Sequence, residues 1–114
     1  MTEQIGNVTV NYQYYEGQDL YSDGDIEDEI LEIVKQHPAN EYNRIIAERK
    51  SWPILYHLSD IRGNILQSMP INKNDEVLEV GAGCGAITGT LAKKAKHVTC
   101  IDLSKRRSLI NAYR

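Results

Sequence analysis

Glu79, Gly81, Gly83, Gly85 and Asp102 stand at a spacing that could do chemistry. A short apolar run, Val77-Leu78-Glu79-Val80, leads into three glycines at alternate positions, and a helical pattern follows. Asp102 comes 21 residues after Gly81, at the end of a second apolar run, Val98-Thr99-Cys100-Ile101. Glycines let backbone approach a ligand closely, and an acid at the end of the next strand reaches a ribose, so the layout reads as a nucleotide cradle.

Two patterns fit the loop. Gly81-x-Gly83-x-x-Ala86 satisfies the dinucleotide fingerprint, which would serve an NAD-dependent oxidoreductase. Glu79-x-Gly81-x-Gly83-x-Gly85 satisfies a more constrained one. A carboxylate at the end of a strand bound for the interior needs a partner. Ligand hydroxyls, amines or a cationic group would supply it. Asp102 has a second reading, as the cap of the helix that follows, although Ser104 is the better-placed cap. Cys84 has no base nearby in sequence and reads as a small loop filler rather than a nucleophile.

With those residues in view, Val77–Arg114 resembles the class I S-adenosylmethionine-dependent methyltransferases. The resemblance implies that Glu79, Gly81, Ala82, Gly83 and Gly85 form the loop around the amino-acid portion of S-adenosylmethionine. It implies that Asp102 binds the ribose hydroxyls and that Leu103 packs on adenine. Within that superfamily the run Val77–Asp102 also resembles the ribosomal-RNA adenine dimethyltransferases, through Leu78-Glu79-Val80-Gly81-Ala82-Gly83 and the Val98–Ile101 strand. It departs from them in having Asp102-Leu103-Ser104 where Glu-Ile-Asp is usual, and in lacking an upstream Gln-Asn-Phe. The favoured acceptor is therefore a small molecule or glycan precursor. An RNA acceptor, an oxidoreductase and a non-catalytic interaction module stand as alternatives. No catalytic base is assigned.

The positioning elements follow from hydrophobic period. Glu76–Val80 and His97–Asp102 read as strands, residues 84–96 and Ser104 onward as helices, giving a β-α-β unit with parallel pairing. Upstream, Val8–Tyr14 alternates as a half-buried strand, part of a short N-terminal strand or hairpin. Ser22-Asp23-Gly24-Asp25 reads as the start of a helix striped by Ile26, Ile30, Ile33 and Val34 and ended by Pro38. Residues 41–50 form a second helical candidate, and Pro53 opens a short helix through Leu58. Ser59 or Asp60 is expected to cap a helix carrying Ile61, Ile65, Leu66 and Met69, stopped by Pro70. The fold class is thus α/β: a mostly helical leader or cap over 1–70, then over 71–114 the incomplete start of a Rossmann-like domain.

The resemblance implies a seven-stranded sheet, of which two strands are present. The chain is expected to be the N-terminal portion of a longer enzyme, inactive alone, weak for cofactor, and prone to oligomerise through its open sheet edge. Tyr56, His57 and Asp60 fall where such enzymes close over the cofactor, but capping and core packing are the plainer roles. Trp52 and most of the seven tyrosines are expected in the core, since phenylalanine is absent.

Composition bounds the rest. The 114 residues are 41% hydrophobic and 25% charged, with a net charge of −3. That fits one globular domain and gives no global case for nucleic acid or anionic membrane. The charge is uneven: residues 16–32 hold eight acids and no base, whereas 93–114 hold seven bases against Asp102 alone. The acidic run reads as a solvated helix start and the basic run as a candidate nucleic-acid patch. Asp19, Asp23 and Gly24 fit three places of a calcium loop, but Tyr21 and Ile30 stand where ligands are required, so that reading is rejected. His37, His57 and His97 lack metal spacing. Two cysteines, no secretory signal and no apolar run of about 18 residues point to a cytoplasmic protein without a membrane span.

Overall fold

The computed structural model describes residues 1–20 and 24–114. Ser22 and Asp23 of the expected helix start, and Tyr21 of the rejected calcium loop, lie outside the described residues. Strands β1 (Thr2–Ile5) and β2 (Val8–Asn11) form an antiparallel hairpin in which Thr2 faces Asn11 and Ile5 faces Val8. β2 stops short of the expected Tyr14 because the Asn11 side chain accepts from Gln13 N at 2.9 Å and bends the chain out of the ladder.

Helix α1 (Asp25–Gln36) buries Ile30, Ile33 and Val34, the stripe its period demands. Helices α2 (Tyr42–Arg49) and α3 (Trp52–Leu58, with Pro53 in its first turn) add Tyr42, Ile45, Ile54 and Leu58 to the same core. Cys84 and Ile110 complete it from the glycine loop and from helix α5 (Lys105–Tyr113). Each fully buried Ile or Leu contributes about 2 kcal/mol of hydrophobic stabilisation. Aliphatic side chains fill this space, so the expectation of an aromatic core fails. Of the described tyrosines only Tyr42 is buried, while Trp52, Tyr14 and Tyr56 are exposed.

Residues 61–66 also depart from expectation. They form a 3₁₀ turn rather than an α-helix, with Ile61, Ile65 and Met69 exposed. Its buried residues are Gly63 and Leu66, three apart, which matches the three-residue period of a 3₁₀ turn. Gly63 is needed there: a Cβ would sit 2.7 Å from Thr90 Oγ1.

Strands β3 (Glu76–Val80) and β4 (His97–Ile101) pair in parallel, Glu76 opposite His97 through Val80 opposite Ile101. The intervening helix α4 (Thr88–Lys94) begins four residues later than the period suggests, because residues 81–87 are spent on the loop. Leu78, Val80 and Ile101 are exposed on the strands, and Leu103 just beyond them.

The uneven charge proves complementary. α1 packs along α5, and Arg107 donates Nε and Nη2 to Oε2 of fully buried Glu27 at 3.2 and 3.1 Å. Arg106 pairs with Asp28 at 3.1 Å. The Asp19 carboxylate accepts from Lys105 N and Arg106 N at 2.8 and 3.0 Å, and Ser104 Oγ accepts from Arg107 N at 3.1 Å. Three otherwise orphaned donors at the start of α5 are thereby satisfied. The acidic run is thus partly a docking strip for α5, and Arg106 and Arg107 are engaged by it.

Candidate functional site: a glycine loop beside an aromatic cleft

Three glycines shape the turn out of β3, with φ of +70° at Gly81, +58° at Gly83 and +86° at Gly85. Their surroundings separate them. A Cβ on Gly81 or Gly83 would meet nothing within 4 Å, so the space before them is open. A Cβ on Gly85 would lie 2.1 Å from Asn111 Oδ1 and 2.7 Å from its Cγ. Gly85 therefore admits α5 to the loop, whereas Gly81 and Gly83 leave a cradle that a side chain would fill.

Backbone donors of the loop turn inward. Gly81 N and Ala82 N donate to Ile101 O at 2.8 and 3.3 Å, Gly83 N to Asp102 Oδ2 at 2.9 Å, and Gly85 N to Ala82 O at 3.1 Å. A phosphate-binding loop aims such donors at its anion. With them committed, the loop suits a ligand without a pyrophosphate, which disfavours the dinucleotide reading.

Asp102 is part of the scaffold as well as a candidate ligand-binding group. Its Oδ1 accepts from Ser104 N at 2.9 Å while Oδ2 holds Gly83. A carboxylate offers roughly four acceptor sites, so these bonds orient it without exhausting it. Leu103, exposed beside it, presents apolar surface. Ser104 takes the capping role that competed for Asp102.

Glu79 finds its partner within the chain. Thr88 Oγ1 donates to Glu79 Oε1 at 2.5 Å, Cys100 Sγ lies 3.5 Å from the same oxygen, and Asn111 Nδ2 donates to Thr88 Oγ1 at 3.1 Å. Burial and the Glu79 carboxylate both push the Cys100 thiol up. Burial, helped by Glu27, pushes the Cys84 thiol up to about 12, which removes it as a nucleophile.

A cleft of about 170 Å³ lies against the loop, lined by Gly81, Gly83 and Cys84 on one side and by Tyr56, His57 and Arg62 on the other. Tyr56 and His57 also line an adjoining space of about 390 Å³ with Ile26, Trp52 and Pro53. Tyr56 and His57 thus stand at the loop, while Asp60 lines neither space. Arg114 ties the walls together: Nη1 donates to His57 O and Cys84 O at 2.7 and 3.3 Å, and Nη2 to Leu58 O at 3.1 Å. A cation on the final carbonyls of α3 complements the helix dipole. Arg62, Arg107, Asn111 and Arg114 were not singled out from sequence. Arg107 and Arg114 had a signal there, as members of the basic run.

Among the described residues no cluster of three or more His, Cys, Asp or Glu is placed to hold a metal. No helix among them is long and apolar enough to cross a membrane.

Comparison with known proteins agrees with the loop. The family described as Ribosomal RNA adenine dimethylase matches residues 59–114. A "Ribosomal RNA small subunit methyltransferase A" from Fusobacterium nucleatum is 37% identical over 51 residues, 45% of this chain and 19% of that protein. Its namesake from Borreliella burgdorferi is 37% identical over 68 residues, 59% of this chain and 24% of that protein. A "Probable cobalt-precorrin-6B C(15)-methyltransferase (decarboxylating)" from Methanobrevibacter smithii is 50% identical over 42 residues, 37% of this chain and 22% of that protein. The chain therefore spans about a fifth to a quarter of the length of these relatives. No solved structure matches significantly. Residues 59–114, the glycine loop among them, are thus similar to the ribosomal RNA adenine dimethylase family and to relatives named as methyltransferases.

Proposed function

We propose that the whole protein transfers a methyl group from S-adenosylmethionine to an adenine of ribosomal RNA, and that this chain holds the donor half of its site. The observation that carries the reading is the match of residues 59–114 to a ribosomal RNA adenine dimethylase family, centred on a loop whose open glycines and oriented acid suit the donor. The sequence favoured a small-molecule or glycan acceptor, chiefly because Asp102-Leu103-Ser104 replaces Glu-Ile-Asp. That preference is corrected. Asp102 retains the carboxylate, and Ser104 is occupied in capping α5, so the departure bears on helix geometry rather than on the acceptor. The Methanobrevibacter relative has a different named substrate, so the RNA reading leans on the family match rather than on the loop alone.

Bound S-adenosylmethionine would supply an electrophilic methyl carbon on a sulfonium. Gly81 and Gly83 would admit its amino-acid portion, Asp102 would accept from the ribose hydroxyls, and Leu103 would cover the adenine face. Glu79 would act through Thr88, fixing the start of α4 beneath the loop. Two free cysteines fit a reducing cytoplasm.

Incorporation of labelled methyl into small-subunit ribosomal RNA by the whole protein tests the reading. Asp102→Asn, which keeps shape and one acceptor oxygen, should cut that incorporation at least tenfold. Methylation of a glycan precursor with none of RNA would sink the acceptor assignment.

A further inference from the structure

We propose that Asp19, in the leader, is a positioning residue of the donor site: it clamps the first turn of α5 and through that turn sets the aim of Asp102. This rests on the methyl-donor reading above. Asp102 Oδ1 accepts from Ser104 N at 2.9 Å, and Ser104 is the cap of α5. The next two amides, of Lys105 and Arg106, donate to Asp19 Oδ1 and Oδ2 at 2.8 and 3.0 Å. The amide of Arg107 returns to Ser104 Oγ at 3.1 Å. Four successive amides are thus shared among Asp102, Asp19 and Ser104, and of these only Asp19 comes from outside the β4–α5 connection.

Donors at a helix start have no partner inside the helix, so an unheld first turn frays. Fraying here would draw Ser104 N away from Asp102 and leave the carboxylate one orienting bond, from Gly83 N. A ligand would then have to order the acid as it binds, which costs affinity. The clamp is itself held. Asp19 is half-buried, and Tyr15 Oη donates to its Oδ1 at 3.0 Å. Side chains of the same turn reach back to the leader: Lys105 Nζ lies 4.8 Å from the Tyr12 ring centroid, and Arg106 Nη1 donates to Gly24 O at 2.8 Å. The family match begins at residue 59, so Asp19 and Tyr15 lie outside it.

Calorimetry on the whole protein, with S-adenosylhomocysteine and with its analogue lacking both ribose hydroxyls, tests the clamp. Asp19→Asn puts an amide group against backbone donors and should weaken S-adenosylhomocysteine about fivefold. It should change affinity for the analogue less than about twofold, and in an Asp102→Asn background it should add no further loss. Equal weakening of both ligands would mean that Asp19 serves stability alone and would overturn the proposal. No weakening by Asp19→Asn, with Asp102→Asn still weakening S-adenosylhomocysteine, overturns the clamp and leaves the donor reading standing. Absence of binding by the parent protein, or binding indifferent to Asp102→Asn, removes both. Should Asp19→Asn not fold, Tyr15→Phe decides, since it deletes only the hydroxyl that steadies Asp19. It should weaken S-adenosylhomocysteine about twofold and spare the analogue; equal affinities to the parent for both would overturn the clamp.

Discussion

Alternate glycines look equivalent in sequence, but their neighbours give them different work. Gly85 gives way to Asn111 on α5, and only Gly81 and Gly83 face open space. Gly85→Ala should therefore lower stability by about 2 kcal/mol, combining a clash with a strained positive φ. Gly83→Ala, with a φ of +58° that non-glycine residues tolerate better, should cost about 1 kcal/mol. Adding Asn111→Ala should recover part of the Gly85→Ala loss and none of the Gly83→Ala loss. A double-mutant cycle by thermal melting checks this; equal recovery in both backgrounds would contradict it. The residues of the loop, Asp102 and the Ser104 cap were legible because their identities are tied to local backbone geometry. The split among the glycines was not, since it depends on a helix that arrives 26 positions later, at Asn111.

Elements were legible where the period was backed by a surface to pack on. α1 follows its Ile30, Ile33 and Val34 stripe, and the β3–α4–β4 unit follows its change of period. The apolar positions at 61, 65 and 69 misled because no layer covers them, and the segment winds tighter to bring Gly63 against Thr90. The acidic and basic runs misled differently, since alone they read as a solvated helix start and a candidate nucleic-acid patch, and only docking makes them partners. Breaking the buried pair should be costly: Glu27→Gln should lose about 3 kcal/mol in urea unfolding, because Arg107 loses its charge partner. A loss below about 0.5 kcal/mol would show that the pair is solvated. Asp19 gives the docking a pH dependence. Burial raises its pKa, but two backbone donors and the Tyr15 hydroxyl outweigh that and hold it below the ordinary carboxylate range. Its contribution is therefore complete above the unfolded value of about 3.9 and is lost as pH falls through the folded value. Asp19→Asn should flatten the acid limb of the stability curve below about pH 4 while costing about 1 kcal/mol at neutral pH.

On the scale of the whole molecule, one core serves leader and loop alike, and the apolar side chains of the parallel pair are left outside it. Leu78, Val80, Ile101 and Leu103 form an exposed group on a two-stranded sheet, an arrangement that invites association. Sedimentation of the chain should show mass rising with concentration, and Val80→Lys should suppress the rise. A monomer at all concentrations would argue that the exposed strands are protected.

The Glu27–Arg107 pair also has a consequence in time. Its members are 80 positions apart in the chain. A ribosome adding roughly 5–20 residues per second needs about 4–16 s to cover that distance. Until α5 emerges, Glu27 has no Arg107 beside it, and the α1 core lacks Ile110. The leader therefore cannot settle as it is made: α1 waits, hydrated, for α5.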